Sequence, residues 1–253
     1  MDYTPIDYRN WILGDRARKG VNIKRLGILT EEELRIWNDA VPYQDQRNDP
    51  GHGEMTAYFA IKLLKYLPGE HRVAVPAAIL HDTGWYGDDP EAWKKLVEAS
   101  KDNLQALDSE ANRRPHQNRG ILIAGRVLER GGYFDTYPFA NWLEIADIIG
   151  DHDTRKLPTT VNGRIVRVAD LLWRVTYPHA EIYMADKPPE EILSRVKETC
   201  LSEPFLSHLG DIGTQIARIE FANMIHFKFR EKAKEALEKD YGKELERIVQ
   251  FYQ

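Results

Sequence analysis

Apolar residues recur at helical spacing along most of this chain, and no run of alternating apolar and polar positions predicts a sheet. Residues 6–19 read as a first amphipathic helix closed by Gly20. Thr30-Glu31-Glu32-Glu33 is a capping box, with Thr30 as N-cap and Glu33 at N3, and it opens a helix to about Ala40. A polar loop over 41–51 then delivers His52 to the start of a helix carrying Met55, Phe59, Leu63, Leu64 and Leu67, which Pro68-Gly69 ends. Residues 72–82 predict the next helix, delayed or kinked by Pro76. After a second polar loop, 83–90, Asp89-Pro90 is an N-cap and N1 pair for a helix containing Trp93, Leu96 and Val97.

The second half repeats the pattern. A polar stretch over 101–113 leads to a helix from His116, through Ile121, Ile123, Ala124, Val127 and Leu128, to Gly131-Gly132. Residues 138–150 predict another, with His152 at its C-terminal end, and Arg164–Val175 one more. Residues 176–189, with three prolines, read as an irregular loop. Pro189-Glu190-Glu191 opens a helix to about Thr199. A long helix is predicted from about Asp211 to Asp240, and a last one from Lys243. The expectation is an all-α fold in a single domain, 1–253.

Composition narrows the class. Hydrophobic residues make up 42% and charged residues 30% of the 253 positions, ample for a packed core. The formal net charge of −5 argues against nonspecific nucleic-acid binding, though an acidic protein can hold a basic pocket. Cys200 is the one cysteine, so no intramolecular disulfide forms and a reducing compartment fits. Met1–Asp7 lacks the basic and apolar regions of a signal peptide, and no apolar run approaches the ~20 residues of a membrane span. A cytoplasmic protein with no membrane contact is expected, and homo-oligomerisation is left open.

The candidate chemistry centres on His81-Asp82, where the apolar run Ala77-Ala78-Ile79-Leu80 drives into two adjacent metal-type ligands. His52 lies upstream, and His116, His152 and Asp170 downstream, each in or at the end of a helical segment. The gaps of 29, 34, 36 and 18 residues are too long for a short zinc motif, but fit ligands gathered from facing helices. His71, His179, His208 and His226 lack such context and read as non-ligands.

Gly51-His52-Gly53-Glu54, Ile79-Leu80-His81-Asp82-Thr83-Gly84 and Val168-Ala169-Asp170-Leu171-Leu172 together resemble the H…HD…D signature of the HD-domain superfamily of metal-dependent phosphohydrolases. The resemblance covers an HD core at about 40–176 and leaves a helical extension at about 177–253. With His116 and His152 added, the set looks like the six-ligand, dinuclear branch. The resemblance implies that His52, His81, Asp82 and Asp170 hold one metal, and that Asp82 bridges to a second held also by His116 and His152. It implies two divalent ions (Fe, Mn, Zn, Co or Mg), and hydrolysis of a phosphoester or phosphoanhydride by a metal-bridging hydroxide. The substrate would be a small phosphorylated molecule.

Phosphate also needs cations nearby. Arg119 and Arg174 share helix faces with His116 and Asp170, and Lys156 follows His152, so these three are the expected phosphate contacts. Arg113 reads as a solvated surface charge, and Arg114 and Arg155 as further basic neighbours. Asp153 and Glu54 are placed to orient ligand histidines or to cap, and Trp85 and Tyr86 to wall the pocket. The same six ligands also serve mixed-valent di-iron oxygenases of the superfamily, which cleave C–P or C–C bonds with O₂. Tyr43, nine residues before His52, resembles their lid tyrosine, with Asp45 as an acidic partner. A non-catalytic HD binding module is the third alternative.

Overall fold

A computed structural model of the protein describes residues 1–10, 27–46, 49–87, 110–155, 157–184, 187–201 and 203–253. These residues are all-α, with no strand among them. In chain order the helices are α1 (Glu31–Ala40), α2 (His52–Leu63), α3 (His71–Leu80), α4 (Glu110–Arg130), α5 (Tyr133–Thr136), α6 (Phe139–Asp151), α7 (Val161–Leu172), α8 (Tyr177–Tyr183), α9 (Pro189–Cys200), α10 (Glu203–Phe229) and α11 (Glu231–Tyr252). None is long and apolar enough to cross a membrane.

Local signals set several helix ends. Thr30 Oγ1 accepts from Glu33 N, and Glu33 Oε2 accepts from Thr30 N, so the capping box closes as predicted. α3 continues through Pro76. A proline there cannot donate to the carbonyl four residues back, at Arg72. The hydroxyl of Tyr133 donates to that oxygen instead, at 2.6 Å. The helix ends at Leu80, so His81 is its C-cap and Asp82 lies just beyond it rather than inside the helix.

Other boundaries depart from the sequence pattern. α4 starts at Glu110, six residues before His116, so Arg113, Arg114 and Pro115 are helical rather than part of a lead-in. α7 starts at Val161, because Thr160 caps it by accepting from Gly163 N. It gives way at Trp173–Val175 to a 3₁₀ turn. Residues 177–183, expected as loop, form α8 behind a Thr176 cap, with Pro178 in its first turn. Proline there is a start signal, not a break.

The break expected near residues 241–242 falls mainly at Arg230, whose φ of 47° is left-handed, and α10 turns back there into α11. A second irregularity, at Tyr241, marks the expected place. The predicted helix over 6–19 lies largely outside the described residues. Its start differs, because residues 1–7 are not helical and only Tyr8–Asn10 makes a 3₁₀ turn. The helix of Trp93, Leu96 and Val97 also lies outside the described residues.

α2 packs on α3 and α7, α3 on α6, and α4 on α6 and on the turn after Asp82. α10 and α11 pair with each other, and α10 packs on α7. One apolar cluster runs through all of them, including Phe59, Ile79, Ile149, Val168, Phe221 and Ile248. Its effect on the site is geometric, because every ligand-type residue sits in, or directly after, a helix that packs into that cluster.

Candidate metal centre

The fold brings His52, His81, Asp82, His116, His152 and Asp170 together, from four helices and the turn after α3. Two main donor groups form. His52, His81 and Asp170 converge in one, and Asp82, His116, His152 and Asp153 in the other, each with donor atoms within 4.8 Å of one another; a third group, Asp49, His52 and Asp82, overlaps both. Asp82 faces both groups. Its Oδ2 lies 3.4 Å from His52 Nδ1 and 3.7 Å from His81 Nε2. Its Oδ1 lies 3.2 Å from His152 Nε2 and 3.8 Å from His116 Nε2.

The turn that holds Asp82 is fixed by a close approach. Gly84 packs against α4 so tightly that a Cβ there would lie 1.7 Å from the His116 carbonyl oxygen. Any side chain would drive the Asp82 turn away from His116. The next residue, Trp85, stacks on the His116 ring at 4.0 Å and 14°, and its Nε1 donates to Asp82 Oδ1 at 3.1 Å. Trp173 stacks on His52 in the same way, at 5.3 Å and 4°. Each donor group therefore has one histidine clamped by a tryptophan face.

Hydrogen bonds set the tautomers. His81 Nδ1 and His152 Nδ1 face the carbonyl oxygens of Ala78 and Ile149, each at 2.8 Å. A carbonyl only accepts, so both nitrogens carry the proton and each Nε2 keeps its lone pair for the centre. His52 Nδ1 lies 3.2 Å from Asp49 Oδ2, while its Nε2 lies 2.9 Å from Asp170 Oδ1. The Nε2 atoms of His81 and His116 are buried and have no hydrogen-bond partner among the described residues. Buried polar atoms are nearly always paired, and a cation between these nitrogens and the carboxylates they face would pair them. These groups could hold a metal ion, and their nitrogen and oxygen donors suit a first-row divalent ion.

In the metal-free chain, burial pulls the His52 imidazole down. The Asp170, Asp49 and Asp82 carboxylates outweigh it and hold the group up, at about 10. His152 follows the same logic, raised to about 9 by Asp153 and Asp82 against its burial. His116 goes the other way, lowered because burial dominates. Asp170 is held well below the carboxylate range, since His52 and His81 overcome the burial that would raise it.

Two carboxylates extend the predicted set. Asp153 Oδ2 lies 3.2 Å from His116 Nε2 and 3.5 Å from His152 Nε2, so it faces the donors themselves. Asp49 is 4% exposed beside His52, a placement that its polar loop does not announce. Glu54 is buried on α2 and belongs to neither group. Arg113 is not a solvated surface charge: its side chain is 14% exposed and its Nη1 donates to Asp153 Oδ2 at 3.1 Å. Arg114 and Arg155 are engaged with Asp151, and Arg155 also with Asp147.

Of the expected phosphate contacts, Arg119 is half-buried on α4, with its guanidinium 4.0 Å from where a Cβ on Gly87 would lie. Arg174 is exposed on the 3₁₀ turn after α7. Lys156 lies outside the described residues. Arg167, which the pattern did not single out, donates to the His152 carbonyl at 2.7 Å and lies 3.9 Å from Asp170 Oδ2. His179, read as a bystander, packs edge-on against Trp173 at 5.6 Å. Burial, with Arg174 and His52 nearby, pushes it down to about 3.

Tyr43 meets Tyr86 edge-to-face at 5.0 Å, and Asp45 Oδ1 accepts from Gly51 N at 3.3 Å within the loop that leads to His52. His71 pairs with Glu33 at 2.8 Å and belongs to neither donor group. His208 and His226 belong to neither donor group. No protein-family model matches this chain, nor does any curated protein sequence or solved structure.

Proposed function

We propose that this protein is a metal-dependent phosphohydrolase of HD-domain type, acting on a small phosphorylated substrate through two divalent ions. The observation that carries the reading is the Asp82 carboxylate, with one oxygen facing His52 and His81 and the other facing His116 and His152. A carboxylate placed between two sets of imidazole donors is the arrangement that spans two cations. The H…HD…D spacing of the sequence supports the same assignment, with His52, His81 and Asp170 on one side and His116 and His152 on the other.

Two ions held there would polarise a phosphoryl oxygen and lower the pKa of water enough for attack at neutral pH. The chain's own contribution is positional. Ala78 and Ile149 carbonyls hold the His81 and His152 tautomers, Asp49 turns His52, and Trp85 steadies Asp82 through its indole N–H. Arg113 and Arg167 place positive charge against Asp153 and Asp170, which offsets part of the carboxylate charge and leaves the loaded centre attractive to a phosphate dianion. Arg119, Lys156 and Arg174 are the proposed phosphate contacts.

The test is a panel of nucleotides and generic phosphodiesters, assayed anaerobically with Mn²⁺, Mg²⁺, Co²⁺, Zn²⁺ and Fe²⁺. Phosphate or nucleoside release that vanishes with chelator is the expected result. No release from any of them, with O₂ consumption on a phosphonate or polyol, would replace the reading with the di-iron oxygenase. Bound metal with neither activity would leave a binding module.

A further inference from the structure

The geometry points to Asp153 as a fourth protein donor to the second metal position. Without it that position would keep three protein donors, one fewer than the first, where Asp82 joins His52, His81 and Asp170. This rests on the metal-dependent reading above and deepens it, because the six-residue pattern assigns Asp153 no ligand role.

The argument is one of spacing. Bonds of about 2.1 Å place the donors of a tetrahedral zinc ion about 3.4 Å apart. Four edges of the Asp82, His116, His152 and Asp153 group measure 3.2, 3.2, 3.5 and 3.8 Å. All four donors lie within 4.8 Å of one another, which no other donor group among the described residues matches with four members. His116 Nε2, fully buried and without a hydrogen-bond partner among those residues, is aimed into the centre of this set.

Four protein donors make the kind of site that retains its ion, whereas three leave a place for water or substrate. Asp153 is the donor that makes the second position one of the former. Arg113 supports the assignment. Its bond to Asp153 Oδ2 holds that oxygen toward the histidines and offsets the charge of a second carboxylate at one ion.

The experiment uses the full chain loaded with Zn²⁺ alone, and follows zinc release to excess chelator. In Asp153→Ala one of the two equivalents should leave at least about tenfold faster than either leaves wild-type protein, while far-UV circular dichroism shows the fold intact. Arg113→Met, which removes the ion pair but keeps the donor, should keep the wild-type release. The Co²⁺-loaded protein should give the strong visible absorption of four-coordinate ions, and Asp153→Ala should weaken it.

Zinc release from Asp153→Ala equal to that of wild type would overturn the inference. So would equal acceleration in both variants, because Asp153 would then act only as an ion-pair partner. Wild-type protein that binds no zinc would instead sink the metal-dependent reading itself.

Discussion

The molecule buries two polar clusters, and they are built on opposite principles. Around Glu220, fully buried on α10, both carboxylate oxygens are met by donors: Tyr3 Oη at 2.7 Å and Ile6 N at 2.9 Å on one, Asn223 Nδ2 at 3.0 Å and Tyr8 Oη at 3.1 Å on the other. Around Asp82, carboxylates and imidazoles face one another, and three buried imidazole nitrogens, one of His81 and both of His116, lack a hydrogen-bond partner among the described residues. The first cluster is complete within the protein and pins the N-terminal segment to the C-terminal helices. The second has nitrogen and oxygen donors that could hold a metal ion. Both centre on a carboxylate inside the fold, and what separates them is the balance of donors and acceptors.

The largest expected effect breaks the second cluster alone. Asp82→Ala should lower bound metal from about two ions per chain toward none, and take phosphate release to background. The protein should still fold, because the Glu220 cluster and the shared core are untouched. Metal analysis beside a thermal melt checks this, and unchanged stoichiometry would remove Asp82 from its bridging place.

Glu220→Ala should do the reverse. Four donors lose their acceptor in a dry site, and each buried group left unsatisfied costs about 1–3 kcal/mol, so a loss of several kcal/mol in urea unfolding is expected. Metal content should hold. The pH dependence sharpens the contrast. Burial raises the Glu220 carboxyl above its ordinary value, against the pull of the Tyr3, Asn223, Ile6 and Tyr8 donors. A raised folded value means that the contribution is fully present below the unfolded pKa and is lost as pH rises through the folded one. Glu220→Gln should flatten that slope. A slope shared by wild type and Glu220→Gln would place its origin elsewhere.

A smaller effect is expected where one cluster member acts through another. Asp49→Ala frees the His52 ring to turn, and should weaken metal affinity about 10–100-fold without abolishing binding. Isothermal titration with Zn²⁺ measures it. An unchanged affinity would make Asp49 a loop residue only.

The smallest concerns His71 and Glu33, a pair that belongs to neither cluster. Glu33 raises the His71 imidazole against partial burial. The pair therefore stabilises fully below the ordinary imidazole value and less as pH rises through the raised one. With the His71 side chain 48% exposed, solvent screening limits the gain to a few tenths of a kcal/mol, or about 0.5 at most. Comparing His71→Ala with wild type at pH 5 and pH 9, in metal-saturated protein, reads the difference. A larger gap at pH 9 than at pH 5 would contradict it.

Much of this was legible in the chain because it is encoded locally. Thr30 and Glu33 cap over three residues, and the capping box closes as the sequence predicts. His52 opens α2 and His152 follows α6, as the apolar spacing indicates. Other starts depart from the pattern where a residue carries two meanings. Pro178 lies in a proline-bearing stretch that reads as loop, yet stands in the first turn of α8, and Pro115 stands inside α4, one residue ahead of the start expected at His116.

The sequence by itself determined an all-helical chain and marked six ligand-type residues in or beside its helices, because periodicity and caps are interactions of near neighbours. Tertiary structure alone decided the rest. It tolerated Pro76 by bringing the Tyr133 hydroxyl to the carbonyl of Arg72, 61 residues away. It buried Glu220 against Tyr3, 217 residues distant, and turned Asp153 from a loop position into a neighbour of His116, on another helix. It also set which oxygen of Asp82 faces which histidines. Such contacts depend on how whole helices pack, and packing is fixed by the summed burial of many apolar side chains rather than by any short stretch of sequence.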